Sequence, residues 1–318
     1  MHGSFDQILA QSIFVLVTMI LMGTLLRRMG VVKYEHSTFF AKIVTEITLP
    51  ALIFLAVSQH PISMKQLIPP AALIFTEIIS GAAAWGTAKL LKLSRPQTGA
   101  LILASMFGSS AFLGYAVIKD LFADNTRILA EAAIISELGV GLLIFTLGVG
   151  IAIHFGGGKS TMKDITGPAL NFFRSHIFIA LAAGITVSFT GLPQNNIIVD
   201  SAGKLLHHVA NANTLMVTMT IGSMLRFHEL RKVILIVMMG CIIKLILQPL
   251  AAGMTADLLH FPETYRKVIV IEASMPSAAL SAVFAKRYNC DAELASILVF
   301  ATFISSIFTI ISITLMVG

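Results

Sequence analysis

Charge is what this chain has least of. Only 12% of its 318 residues are Asp, Glu, Lys or Arg, about half the share of a typical soluble domain. Cysteine is scarce too: Cys241 inside an apolar run and Cys290 in a loop make neither a disulfide framework nor a metal spacing. A phosphate-cradling loop is missing. Gly156–Thr161 ends in Gly-Lys-Ser-Thr, but such a loop needs another glycine five residues before the Gly-Lys pair, where this chain has Ile153. The first apolar run is long enough to span a bilayer and lacks a small-residue cleavage site after it, so a cleavable signal peptide is not expected. Together these absences exclude a soluble enzyme, a nucleic-acid binder and a secreted disulfide scaffold.

Hydrocarbon takes the place of charge. The chain is 56% apolar with a mean hydropathy of +0.88, and the solvent that accommodates this is lipid. Each helical crossing needs about 20 mostly apolar residues. Apolar runs bounded by charge, Gly or Pro predict ten crossings: Phe5 to Arg28, Ser37 to Ser58, Leu67 to Leu91, Gln97 to Phe122, Thr126 to Phe155, Pro168 to Thr190, Ile197 to Met224, Lys232 to Leu259, Tyr265 to Tyr288 and Glu293 to Val317. The seventh opens with Asp200, Lys204, His207 and His208 and so starts as an interfacial helix on one reading. The hydropathy lacks the alternation of barrel strands, leaving helix as the form that satisfies the backbone in lipid. The formal charge of +6 reflects topogenesis rather than a polyanionic partner: with both termini outside, Arg27, Arg28, Lys33, Lys89, Lys92, Arg95, Lys159, Lys163, Arg226, Arg231, Lys232, Lys286 and Arg287 gather in the cytoplasm, against Lys65, Lys119, Arg127, Arg266 and Lys267 on the other face.

The tripeptide Ala104-Ser105-Met106 in the fourth crossing recurs as Ala273-Ser274-Met275 in the ninth, each followed by small residues, Gly108-Ser109-Ser110-Ala111 and Ser277-Ala278-Ala279. The match falls in the fourth member of each five-helix half. Five is odd, so the halves are expected to be inverted: residues 1–155 and 162–318, joined by a Gly-rich linker at 156–161. The Gly and Ser tract and Pro276 loosen the helical ladder, and freed backbone groups at membrane depth need a polar, protein-lined cavity. Inverted repeats with interrupted helices are a transporter architecture, with substrate held at the midplane. Packing stripes of small residues between helices are the alternative.

Leu49-Pro50-Ala51-Leu52-Ile53-Phe54, Phe112-Leu113-Gly114-Tyr115, Lys244 to Leu250 and Met275-Pro276-Ser277-Ala278 resemble the signature stretches of the auxin efflux carrier family, the PIN-like bacterial and plant transporters. The resemblance covers essentially the whole chain, without the long central loop of the plant exporters. It implies an all-α polytopic protein with ten helices in a five-plus-five inverted repeat, broken crossover helices 4 and 9, scaffold helices 1, 2, 6 and 7, and a mobile transport domain of helices 3–5 and 8–10 working as an elevator. It also implies organic carboxylate substrates such as malate, malonate or indole acetate, a homodimer, and a bacterial inner membrane. No cofactor is implied. The substrate-binding candidates are Ile53, Phe107, Gly108, Ser109, Ser110, Asn213, Ser274, Met275, Pro276 and Ser277; Phe107 stands where family members often carry proline.

Ionisable groups at membrane depth cost about 2.5–3.5 kcal/mol each and are read first as functional. Glu77 and Lys244 occupy nearly equivalent places in the third helix of each half and are expected to pair, either as a fixed ion pair or as a switch. Glu272, one turn before Pro276, is the leading coupling candidate, to protons or sodium, with a half-helix cap as the alternative; Glu137 is the second. Glu46 and Glu131 are placed near helix ends. Four functions follow: a carrier of small organic anions first, a sodium-coupled symporter resembling the bile acid transporters as runner-up within transport, a receptor or sensor that merely binds the anion, and an intramembrane enzyme using Ser109 with His207 or His208, which lacks any supporting signature.

Overall fold

The computed structural model describes residues 5–33, 35–60, 68–122, 125–157, 167, 170, 173–190, 197–224 and 233–317. The expected Gly-rich linker, apart from Gly156 and Gly157, lies outside the described residues.

Among the described residues the secondary structure is helical. The elements are α1 (Phe5–Arg28), α2 (His36–Ser58), α3 (Ile68–Leu90), α4 (Arg95–Met106), α5 (Tyr115–Leu121), α6 (Arg127–Gly156), α7 (His176–Thr190), α8 (Ile197–Asn211), α9 (Asn213–Met224), α10 (Ile234–Leu258), α11 (Glu263–Ser274), α12 (Ala279–Arg287) and α13 (Ala292–Val317). Among the described residues five stretches are long and apolar enough to cross a membrane: α2, α3, α6, α10 and Ala292–Ile310 of α13. They carry apolar side chains on their outer faces, including Phe39, Phe75, Met254 and Phe308, which is the surface a lipid solvent selects. The expected seventh crossing is two helices, α8 and α9, parted at Ala212.

Two prolines shape their helices in the same way. Pro50 and Pro249 lack an N–H and would press on the carbonyl four residues back. In each case the turn containing that carbonyl is widened to π geometry, at Val44–Thr48 in α2 and Ile243–Leu247 in α10. Such a turn inserts one extra residue and re-aims the side chains on it. In α10 those side chains include Lys244, and Gln248 stands immediately after the turn.

The described chain forms two compact units. The first comprises Met1–Gln66, Ala111–Ile134 and Phe173–Arg226; the second comprises Leu67–Ser110, Ile135–Phe172 and Phe227–Gly318. In the first unit α1 packs on α9 at backbone distance. Thr24 Oγ1 donates to the Gly222 carbonyl at 3.0 Å and Arg27 Nη1 to the Ser223 carbonyl at 3.1 Å. Thr48 Oγ1 of α2 donates to Asn213 Oδ1 of α9 at 2.8 Å, and Gly184 of α7 admits Val57.

In the second unit α4 is enclosed by α3, α6, α10, α12 and α13. The turns after α3 and α10 repeat one another. Lys92 and His260 both adopt the left-handed conformation at φ 51°, and Leu93 N donates to the Ala88 carbonyl as Phe261 N does to that of Ala256, each at 3.0 Å. The Cys290 thiol donates to the Ala152 carbonyl at 3.3 Å. Burial, helped by the Asp291 carboxylate, pushes its pKa up to about 11, so it stays an unreactive thiol at neutral pH.

A methyl group on Gly222 would overlap the Ile20 carbonyl, whereas Gly86 on α3 faces open space. Gly222→Ala is therefore expected to destabilise the protein by about 1–3 kcal/mol through overpacking. Gly86→Ala is expected to leave stability equal or to raise it by up to about 1 kcal/mol. Thermal unfolding of the two purified variants in detergent checks the contrast.

Candidate functional site

The site is built where two helices of the second unit stop short. α4 starts firmly: Ser94 Oγ accepts from Gln97 N at 3.4 Å while Gln97 Oε1 accepts from Ser94 N at 3.2 Å, a capping box. It runs 12 residues, about 18 Å at 1.5 Å per residue, too short for a crossing. At Phe107 the backbone turns extended (φ −100°, ψ 128°). α11 likewise ends at Ser274, and Met275 is extended (φ −63°, ψ 142°).

The two extended stretches satisfy each other. Ser109 N donates to the Pro276 carbonyl at 2.7 Å, Ala278 N donates to the Phe107 carbonyl at 2.9 Å, and Gly108 and Ser277 face one another as an antiparallel bridge. In the alignment that superposes the two Ala-Ser-Met tripeptides, Phe107 matches Pro276, Gly108 matches Ser277 and Ser109 matches Ala278. The two bonds are thus copies of one bond, and the bridge pairs a residue with its own counterpart. This is the local signature of a two-fold axis through the crossing.

Side chains lock it. Ser277 Oγ donates to the Ala104 carbonyl at 2.5 Å and accepts from Thr302 Oγ1 at 3.0 Å; Thr302 Oγ1 also accepts from Ser277 N at 3.1 Å. Ser281 Oγ donates to the Leu103 carbonyl at 2.9 Å. Thr302 and Ser281 were not among the sequence candidates; hydroxyls on apolar helices are common, and only the fold brings these two to the break.

On the carboxy-terminal side of α4 and α11 lies Lys244, fully buried. Its Nζ donates to Gln248 Oε1 at 2.5 Å and to the Ala273 carbonyl at 3.4 Å, while Gln248 Nε2 donates to the Met106 carbonyl at 3.3 Å. Lys244 and Gln248 thereby tie α10 to the ends of both interrupted helices. Gly108 lets the ammonium come close: a Cβ on it would stand 3.0 Å from Lys244 Nζ, a tight contact that the lysine would have to relieve by shifting. Gln248 is not among the sequence candidates: it stands four residues after Lys244, but which partner Lys244 takes depends on the wide turn between them.

A family model described as membrane transport protein matches residues 8–164 and 168–316, both interrupted helices included. The chain belongs to this family. The resemblance to the auxin efflux carriers is a membership, and this transporter is an integral membrane protein and not an enzyme. It is similar to an uncharacterized transporter of Methanocaldococcus jannaschii, 28% identical over 297 residues, 91% of this chain and 92% of that protein. Another uncharacterized transporter, of Methanothermobacter thermautotrophicus, is 27% identical over 303 residues, 93% of this chain and 94% of its own.

The remaining candidates of the transporter fall as follows. The Phe107 ring is fully buried against Gly148. Ser274 Oγ donates back to the Val270 carbonyl at 2.7 Å, and Met275 is buried. Ile53 and Asn213 belong to the first unit, where Ile53 is core and Asn213 holds Thr48. Glu131 pairs with Arg127 at 3.1 Å, and Glu46 is exposed in its wide turn. His207 and His208 are both exposed on α8.

The expected ion pair of Glu77 with Lys244 is not formed as a direct contact. Lys244 bonds amide and carbonyl oxygens instead, and both carboxylate oxygens of Glu77 and of Glu272 are buried without a hydrogen-bond partner. The acids act on the ammonium through space. Glu272 also feels Glu137, buried in the wide turn Glu137–Gly141, and the nearby Ser110 hydroxyl, which does not complete an ordinary hydrogen bond to it.

Gln248→Leu removes the acceptor of a buried ammonium and the donor to Met106. Loss of charged hydrogen bonds of this kind costs about 1.5–3 kcal/mol, and a lowered thermal midpoint of that variant, relative to Gln248→Glu, is the expected result.

Proposed function

We propose that this protein carries small organic anions, carboxylates such as malate, malonate or an auxin-like acid, by alternating access. The observation that carries this reading is the amino-terminal end of α12. The helix begins at Ala279, immediately beyond the crossing, with no side chain capping it. Its first residues, Ala279 and Leu280, are exposed. The first-turn N–H groups of a helix have no acceptor within it and together present partial positive charge, a ready seat for a carboxylate. Ser109 and Ser110 supply hydroxyls at the same crossing, while that of Ser277 is committed to locking it. The opposite faces of the breaks, where α4 and α11 end, are negative and already hold Lys244, so the crossing separates an anion-seeking side from a cation-holding one.

Motion is assigned to helices 3–5 and 8–10, of which α4, α11 and the buried acids near them lie in the second unit while α5 and the start of α6 group with the first, and helices 1, 2, 6 and 7 are the fixed frame of an elevator. The whole chain is read as ten crossings in two inverted five-helix halves, of which the paired turns at Lys92 and His260 and the symmetric bonds of the crossing are the supporting local features. A dicarboxylate leaving a negative-inside cell gains about 2.3 kcal/mol per charge per 100 mV, so outward flux needs no other drive.

Proteoliposomes containing the full chain are expected to take up labelled mono- or dicarboxylates. Ser109→Leu, which fills the crossing, is expected to reduce uptake to the level of empty vesicles while the protein still folds. Uptake is to be measured with pH and sodium varied. Vesicles indifferent to every carboxylate would sink the anion reading.

A further inference from the structure

A buried lysine in a protein interior ordinarily completes a salt bridge. Lys244 does not: among the described residues its Nζ lies within 4 Å of no carboxylate oxygen, although Glu77 and Glu272 are close enough to act on it. What surrounds the ammonium is a shell of neutral oxygens, Gln248 Oε1 and the Ala273 carbonyl, with the unpartnered carboxylates beyond and Gly108 leaving room. Oxygen donors from an amide, a main-chain carbonyl and carboxylates are the set that binds hard cations. The location reinforces this. α4 and α11 both end here, Met106 reached through Gln248 and Ala273 directly, and the carbonyls of two helix ends gather negative potential at one point. Ends of interrupted helices are where transporters place inorganic cations.

We propose that Lys244 is a tethered cation: its ammonium occupies a monovalent-cation site formed by the ends of α4 and α11, and makes a bound sodium ion unnecessary there. The lysine suits the task as a compact point charge on a flexible stem. The charged groups facing it are Glu77 from α3 and Glu272 from α11, with Glu137 from α6 acting on Glu272. The inference concerns the side of the crossing away from the proposed substrate seat and does not depend on what the substrate is.

The test is thermal unfolding of the purified full chain, wild type, Lys244→Ala and Lys244→Met, in chloride salts of lithium, sodium, potassium and methylammonium, with choline holding ionic strength constant. Removing the side chain to alanine empties the site. Lys244→Ala is expected to show a saturable upward shift of its midpoint with at least one of the small cations. The wild type, whose site is filled by its own ammonium, and Lys244→Met, whose site is filled by an uncharged chain, are expected to show none. A flat response of Lys244→Ala in every salt overturns the proposal. So does an equal shift in all three proteins, which places the ion elsewhere, and so does failure to recover Lys244→Ala in any of these cations when Lys244→Met is recovered. None of these readings requires transport, so a failed carboxylate assay leaves the result intact.

Discussion

A backbone that leaves the helix inside a bilayer must find partners in protein, because lipid offers none. Every other feature of the second unit follows from how this chain meets that requirement at Phe107–Ser109 and Met275–Ala278. The two gaps are each other's solution: bonds between Ser109 and Pro276 and between Ala278 and Phe107 replace those that the helices give up. Pro276 fits because it lacks the N–H that would otherwise go unmet, and Gly108 lets the ammonium behind it approach without being pushed aside. The hydroxyls of Ser277 and Ser281 then take up last-turn carbonyls of α4, with Thr302 bonded to Ser277 behind them; these carbonyls would otherwise be stranded at the end of a buried helix.

Interrupting a helix creates poles as well as gaps, and the distribution of charge in the second unit follows those poles. Where α4 and α11 end, Lys244 and Gln248 arrive from α10, delivered by the widened turn before Pro249. Where α12 starts, no side chain caps the helix, and Ala279 and Leu280 are exposed. The same arrangement accounts for two acids that stay buried without hydrogen bonds: Glu77 and Glu272 lie in the field of an ammonium that is bonded to other atoms. Unpartnered buried carboxyl oxygens cost stability, and proteins retain such groups mostly where function uses them.

How much of this was legible in the sequence depended on whether the signal was local. Hydropathy marked α2, α3, α6, α10 and α13 because a run of apolar residues is a local property. The recurrence of Ala-Ser-Met beside small residues and Pro276 pointed to the places where α4 and α11 stop, since Gly and Pro act on their own stretch of backbone. Contacts between distant segments were less readable. Glu77 and Lys244 sit in matching helices, but the choice of Gln248 and the Ala273 carbonyl over Glu77 depends on a π turn that shifts Lys244 along its helix, and periodicity at 3.6 residues has no term for an inserted residue. Asn213 is a substrate-side candidate by sequence, and only the fold shows that its Oδ1 accepts from Thr48 of α2. Thr302 carries no mark of its own among the hydroxyls of α13.

The central claim, that paired interruptions bond across one another at a local two-fold axis, is tested most directly by an experimental density map of the protein in a lipid nanodisc, traced through residues 104–112 and 272–281. The account predicts two extended stretches crossing antiparallel, with the Ser109 amide on the Pro276 carbonyl and the Ala278 amide on that of Phe107. Unbroken helical density through either segment would contradict it.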